Sequence, residues 1–155
     1  MLILEVMKIS AYTDVSLRAM LVLATLKEGE MLSSREIAAA VGTPFNHVSK
    51  TVSGLSRLGF VSVTRGRHGG ARLNEAGRAA TVGQVIRLLS TREDVADCMS
   101  PRGDCPLAGD CRLRHALNQA REAFLRELDD IVVAELPTRT QAKAIFATIG
   151  LHTAD

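Results

Sequence analysis

The 155-residue sequence has no tryptophan, one tyrosine and four phenylalanines, so aromatic residues reach only 3%. Its core has to be assembled from Leu, Val, Ile, Ala and Met, which suits helix packed on helix. Apolar residues still make up 46%. That excludes a disordered chain and suffices for one compact domain, or for one domain plus an extension. No apolar run approaches the roughly 18 residues of a membrane span. The apolar start Met1-Leu-Ile-Leu-Glu-Val6 lacks the basic residues and the cleavage site of a signal peptide. The expected location is the cytoplasm, with no membrane partner and with thiols kept reduced.

Acid is missing from one stretch. Ile37 to Asn74 contains no Asp or Glu, yet it holds Lys50, Arg57, Arg65, Arg67 and Arg72. Such a surface suits phosphate. Glu93 to Asp110 is the reverse, with Glu93, Asp94, Asp97, Asp104 and Asp110. No nucleophile–base pair and no glycine-rich phosphate loop stands out, so an enzyme is not expected.

Apolar spacing predicts a first helix over Thr13 to Lys27, through Leu17, Met20, Leu21 and Ala24, with Thr13 as its cap and Asp14 in its first turn. Ser33-Ser-Arg-Glu36 is a capping box that opens a second helix, which stops at Gly42. Thr43 is expected to cap a third helix with Pro44 at its first position and Val48, Val52, Leu55 and Leu58 as its buried stripe. Phe60 to Thr64 alternates like a strand and Ala71 to Leu73 can return beside it. Between them lies the basic turn Arg65-Gly-Arg-His-Gly-Gly70.

Two short helices joined by a tight turn and followed by a hairpin describe a winged helix-turn-helix. An ordinary helical hairpin with a solvated basic loop is the alternative. The coincidence of helix pair, hairpin and acid-free stretch favours DNA. Candidate contacts are Asn46, His47, Ser49 and Lys50 near the start of the third helix, with Arg65, Arg67 and His68 at the wing tip for phosphates or a narrow minor groove.

Thr81 to Leu89 reads as a fourth short helix. From Arg112 a long helix is expected to reach about Leu136, where Pro137 ends it. Its apolar positions Leu113, Leu117, Ala120, Phe124 and Ile131 step by three, four or seven, a seam for a partner helix or a cover for the domain's own core. So long a helix has little of its own domain to lie on, which favours a homodimer. The fold class is therefore mainly α, a winged helix-turn-helix with a two-stranded wing and a long C-terminal dimerisation helix. The expected organisation is a DNA-binding domain over 7–80, a cysteine loop and dimerisation helix over 81–136, and a tail over 137–155. In that tail Ala142, Ile145, Phe146 and Ile149 suggest a weak amphipathic turn without an assigned role.

All three cysteines, Cys98, Cys105 and Cys111, fall in a 14-residue window, with six residues between the first two and five between the last two. Clustering in a polar Gly/Pro loop is hard to explain by packing, and a disulfide would leave one thiol over. A metal site is the natural reading. Zinc commonly takes cysteine pairs spaced by two to four residues, whereas iron–sulfur clusters tolerate varied loops, so the spacing leans to a cluster over zinc. Three thiolates leave one ligand open to a carboxylate, an imidazole or solvent. His115, four residues past Cys111, is one candidate; Asp14 and His47 are distant in sequence. A non-thiolate ligand would leave one iron accessible to small molecules such as nitric oxide or dioxygen.

Three segments carry a resemblance: Met7-Lys-Ile-Ser-Ala-Tyr-Thr-Asp-Val-Ser-Leu-Arg18, Arg65-Gly-Arg-His-Gly-Gly-Ala-Arg-Leu73 and Cys105-Pro-Leu-Ala-Gly-Asp-Cys-Arg-Leu113. Over roughly Met7 to Leu136 the chain resembles the NsrR/IscR family of winged-helix iron–sulfur transcriptional repressors, on the side of its nitric-oxide-sensing NsrR branch. The resemblance implies a homodimer with crossed long helices, one cluster per subunit, expected to be [4Fe-4S], and a palindromic operator. It also implies an Asp ligand near the N-terminus from the other subunit, and Asp14 matches that position. In the IscR branch a His three residues after the last Cys serves instead. Here that position is Arg114, with His115 displaced by about 100° around a helix. Met1 to Val6 precede the family's usual start at Met7. The six-residue gap between Cys98 and Cys105 is slightly long for the NsrR branch, which leaves a sensor of iron or cluster supply as an alternative.

Overall fold

The computed structural model describes residues 9–90 and 105–150. The first helix, α1, runs Ala11–Ala24 and is capped by Ser10, whose hydroxyl oxygen accepts the Thr13 N–H at 3.0 Å. The expected cap, Thr13, lies inside the helix and is fully buried. The helix also stops before the expected Lys27, where the Thr25 hydroxyl donates to the Val22 carbonyl at 2.7 Å. The second helix, α2, spans Ser34–Val41 and starts with the capping box read from the sequence: Ser33 Oγ accepts the Glu36 N–H, and Glu36 Oε2 accepts the Ser33 N–H at 2.7 Å. It ends in the left-handed Gly42.

The third helix, α3, covers Phe45–Arg57, one residue later than expected. Pro44 is its cap, in an extended conformation and with no side-chain hydrogen bond. Thr43 closes the preceding helix instead, its N–H bonding to the Ala38 carbonyl at 3.1 Å. Pro44 itself is extended, with ψ at 140°, so helical backbone begins only at Phe45.

Strand β1, Val61–Thr64, pairs antiparallel with β2, Gly70–Leu73, in the register Val61 to Leu73 and Thr64 to Gly70. Leu32, just before α2, adds a bridge to Ala71 through reciprocal backbone bonds of 3.1 and 2.8 Å. The wing is thereby tied to the helix pair. A short helix not anticipated from the sequence, α4 (Glu75–Ala79), follows under an Asn74 cap whose side-chain oxygen accepts the Gly77 N–H at 2.9 Å. Helix α5 is Val82–Leu89, capped by Thr81.

Helix α6 runs Arg112–Leu128 and so ends eight residues short of the expected Leu136. Asp129 and Asp130 stand at its negative pole, which disfavours continuation. The chain then turns back: Val82 N–H bonds to the Ile131 carbonyl at 2.8 Å and Val133 N–H to the Ala80 carbonyl at 3.0 Å. Val133 is buried in the main core. Ile131 thus belongs to this returning segment, not to the helical seam. The segment after Pro137 forms α7 (Arg139–Ile149), opened by a Thr138/Gln141 capping box. It packs on α2, with Ile145, Phe146 and Ile149 partly buried against the core. Met20, Leu23, Leu32, Ile37, Val48, Leu55 and Val85 fill the centre.

Candidate nucleic-acid interface and cysteine site

At about 100° per residue, Asn46, Lys50, Ser53 and Arg57 fall in one sector of α3, roughly 60° wide. All four are exposed, and they lie opposite the buried Val48, Thr51, Val52 and Leu55. Of the contacts expected from the sequence, Asn46 and Lys50 are in this sector and the half-buried Ser49 borders it. His47 is exposed on the flank. Ser53 and Arg57 complete the face and were missed, although the helical steps from Asn46 pointed to them. Arg65, Arg67 and His68 are all exposed at the wing tip.

Helix α1 lies across α3. The Tyr12 ring sits directly on Gly54: a methyl group there would overlap the Tyr12 hydroxyl and lie 3.2 Å from Cζ. Gly54 therefore admits a close approach, and a larger residue there would require the exposed Tyr12 ring to move aside. Two residues on from Tyr12, Asp14 is gripped by Arg18, with Nε to Oδ1 at 3.1 Å and Nη2 to Oδ2 at 2.9 Å.

Cys105 and Cys111 are free thiols, each partly buried. Cys111 caps α6, its Sγ accepting the Arg114 N–H at 3.5 Å. Cys98 lies outside the described residues. Among the described residues no three of His, Cys, Asp and Glu converge, so a single chain does not bring Asp14 or His115 to this pair as a ready ligand set. His115 is exposed, and its Nε2 is engaged with Gln119 Nε2 at 3.1 Å.

The helices that bracket the cysteine segment are clamped together. Arg87 of α5 reaches Glu122 of α6 at 2.8 Å and Asp129 at 3.0 Å. The hydrogen bonds that Arg87 donates to Asp129 and then to Glu122 hold its guanidinium more firmly protonated than usual. The Arg87 hydrogen bond in turn keeps the Glu122 carboxyl below its ordinary value.

A helix pair with an outward acid-free face, flanked by a basic wing, is the architecture of a DNA-binding transcriptional regulator. The chain belongs to the Rrf2 family, described as an iron-dependent transcriptional regulator, whose profile matches residues 9–139. It is 43% identical over 133 residues to the HTH-type transcriptional repressor NsrR of Streptomyces coelicolor, covering 84% of this chain and 88% of that protein. Two solved structures share the fold. IscR of T. potens aligns with a TM-score of 0.64 at 23% identity, over 84% of this chain and 85% of that one. CymR, the global cysteine regulator of B. subtilis, aligns with a TM-score of 0.66 at 25% identity, over 84% and 95%. No helix among the described residues is long and apolar enough to cross a membrane.

Proposed function

We propose that this chain is a cytoplasmic transcriptional repressor whose hold on a palindromic operator depends on an iron–sulfur cluster, with nitric oxide as its signal. The observation that carries this reading is the double duty of α1. Its N-terminal turn bears Asp14, and the same turn presses Tyr12 onto Gly54 of the recognition helix. The resemblance to a protein named as the repressor NsrR supports the same reading.

The residues present fit such a group. Cys98, Cys105 and Cys111 would supply thiolates, with Cys111 standing at the N-terminal cap of α6. Asp14 of the partner subunit would supply the fourth, oxygen ligand of a [4Fe-4S] cluster. When bound, such a group offers one iron without a thiolate, and hence a place for nitric oxide to react.

The rest of the switch belongs to the chain. When its carboxylate is not engaged elsewhere, Asp14 pairs with Arg18, so it has a partner in either state. Moving Asp14 between those partners moves the first turn of α1, and Tyr12 passes the displacement to α3. A difference of a few kcal/mol between the two states is enough to change operator occupancy. On DNA, Asn46, Ser49 and Lys50 face bases while His47, Arg65, Arg67 and His68 hold the backbone. The second subunit docks along α6, where Leu113 is 65% exposed and Leu125 is the one buried residue of the helix.

Anaerobic reconstitution with iron and sulfide tests the cofactor. A brown protein containing iron, sulfide and a broad visible band is expected. Zinc without iron or sulfide would contradict this reading and leave a structural site.

A further inference from the structure

Phe45 is the first residue of α3, and 43% of it is exposed. That exposure sets it apart from Val48, Thr51, Val52 and Leu55, which form the buried stripe of the helix. Its ring lies 5.1 Å from the Arg35 guanidinium, a cation–π arrangement. Arg35 is the second residue of α2, so the pair joins the first turns of the two helices at the corner of the motif. The neighbouring carboxylate does not compete for Arg35. Glu36 Oε2 is committed to the Ser33 N–H and hydroxyl, both at 2.7 Å. The next acid along the chain is Glu75.

In a helix-turn-helix the recognition helix offers its N-terminal residues to base edges, while the preceding helix crosses the phosphate backbone. This geometry brings an aromatic ring to the level of the bases and a guanidinium to the level of the phosphates. The apolar feature that distinguishes a base edge in the major groove is the thymine C5-methyl group. We propose that Arg35 and Phe45 form a composite reader that determines sequence specificity. Phe45 selects thymine through its methyl group, and Arg35 neutralises the adjoining phosphate while it fixes the ring. The inference rests on the DNA-binding reading above.

The test is selection from a random duplex library by the full chain, in both its metal-free and its iron- and sulfide-reconstituted forms. The wild type is expected to enrich a two-fold symmetric motif with a thymine in each half-site that Phe45→Ala and Phe45→Leu no longer prefer, the rest of the motif being retained. Replacing that thymine by deoxyuridine removes only the methyl group. It should weaken wild-type binding roughly threefold to tenfold and leave Phe45→Ala binding unchanged. Arg35→Gln should weaken binding to every sequence, reduce the salt slope by about 1 per subunit and lessen the preference for that thymine. Retention of every base preference by Phe45→Ala, or an equal loss on deoxyuridine in both proteins, would overturn the reader while leaving DNA binding intact. An unchanged salt slope in Arg35→Gln would overturn the phosphate half of it. No enriched motif with the wild type would remove both readings.

Discussion

Asp14 sits where two demands meet: a half-buried carboxylate in the first turn of α1, held by a bidentate Arg18. That i,i+4 ion pair is solvent-facing, so its own contribution to folding is on the order of 0.3–0.5 kcal/mol. Asp14→Ala should therefore leave the melting temperature of the metal-free chain nearly unchanged while the reconstituted protein loses its visible absorbance faster. Equal retention in both would move the fourth ligand to His115 or solvent. The Arg87–Glu122 pair makes a separate prediction. Glu122 titrates lower when folded than when unfolded. The pair therefore adds stability above the unfolded carboxylate pKa and loses it as pH falls through the folded value. Melting curves should show wild type above Arg87→Gln at neutral pH, the gap closing in acid and narrowing in high salt.

Among the elements, the join between α5 and α6 decides how the cysteine segment is anchored. Gly83 lies against α6: a Cβ there would overlap Asp129 Oδ1 and stand 2.9 Å from both the Asp129 nitrogen and the Leu125 carbonyl oxygen. Alanine would gain up to about 1 kcal/mol of helix propensity, but backbone atoms cannot swing aside as a side chain can. Gly83→Ala should therefore be destabilising by about 1–3 kcal/mol, measurable by urea unfolding. Much of this level was legible in the sequence. The Ser33/Glu36 capping box, the Gly42 stop and the wing all rest on local patterns, and they stand where the pattern put them. The end of α6 did not, because Ile131 continues the apolar spacing of a helix. What overrides the spacing is the pairing of Ile131 and Val133 with Val82 and Ala80, about fifty residues away in the chain. The Leu32 bridge to the wing is non-local in the same way. The α4 cap was different, since Asn74 before Glu75 is a readable helix start.

At the scale of the whole molecule, the proposed homodimer rests on a surface that one chain leaves open. Leu113 is 65% exposed on α6, so Leu113→Asp should not disturb the subunit fold. It should yield a monomer in sedimentation and weaken binding to a palindromic duplex at least tenfold, because the two half-site contacts are no longer linked. A dimer with unchanged affinity would place the interface elsewhere. The sequence also made α3 and the wing legible, because both are local units within an acid-free stretch. It revealed less of the coupling, since the meeting of Tyr12 with Gly54 is a tertiary contact between residues far apart in the chain. The three cysteines still stand at the centre, but their meaning depends on whether their occupancy reaches α3. The most direct measurement is anaerobic binding of the reconstituted full chain to its selected duplex during nitric oxide titration, with absorbance followed in the same samples. Affinity should fall at least tenfold in step with bleaching of the visible band. Bleaching that leaves affinity unchanged would contradict the account.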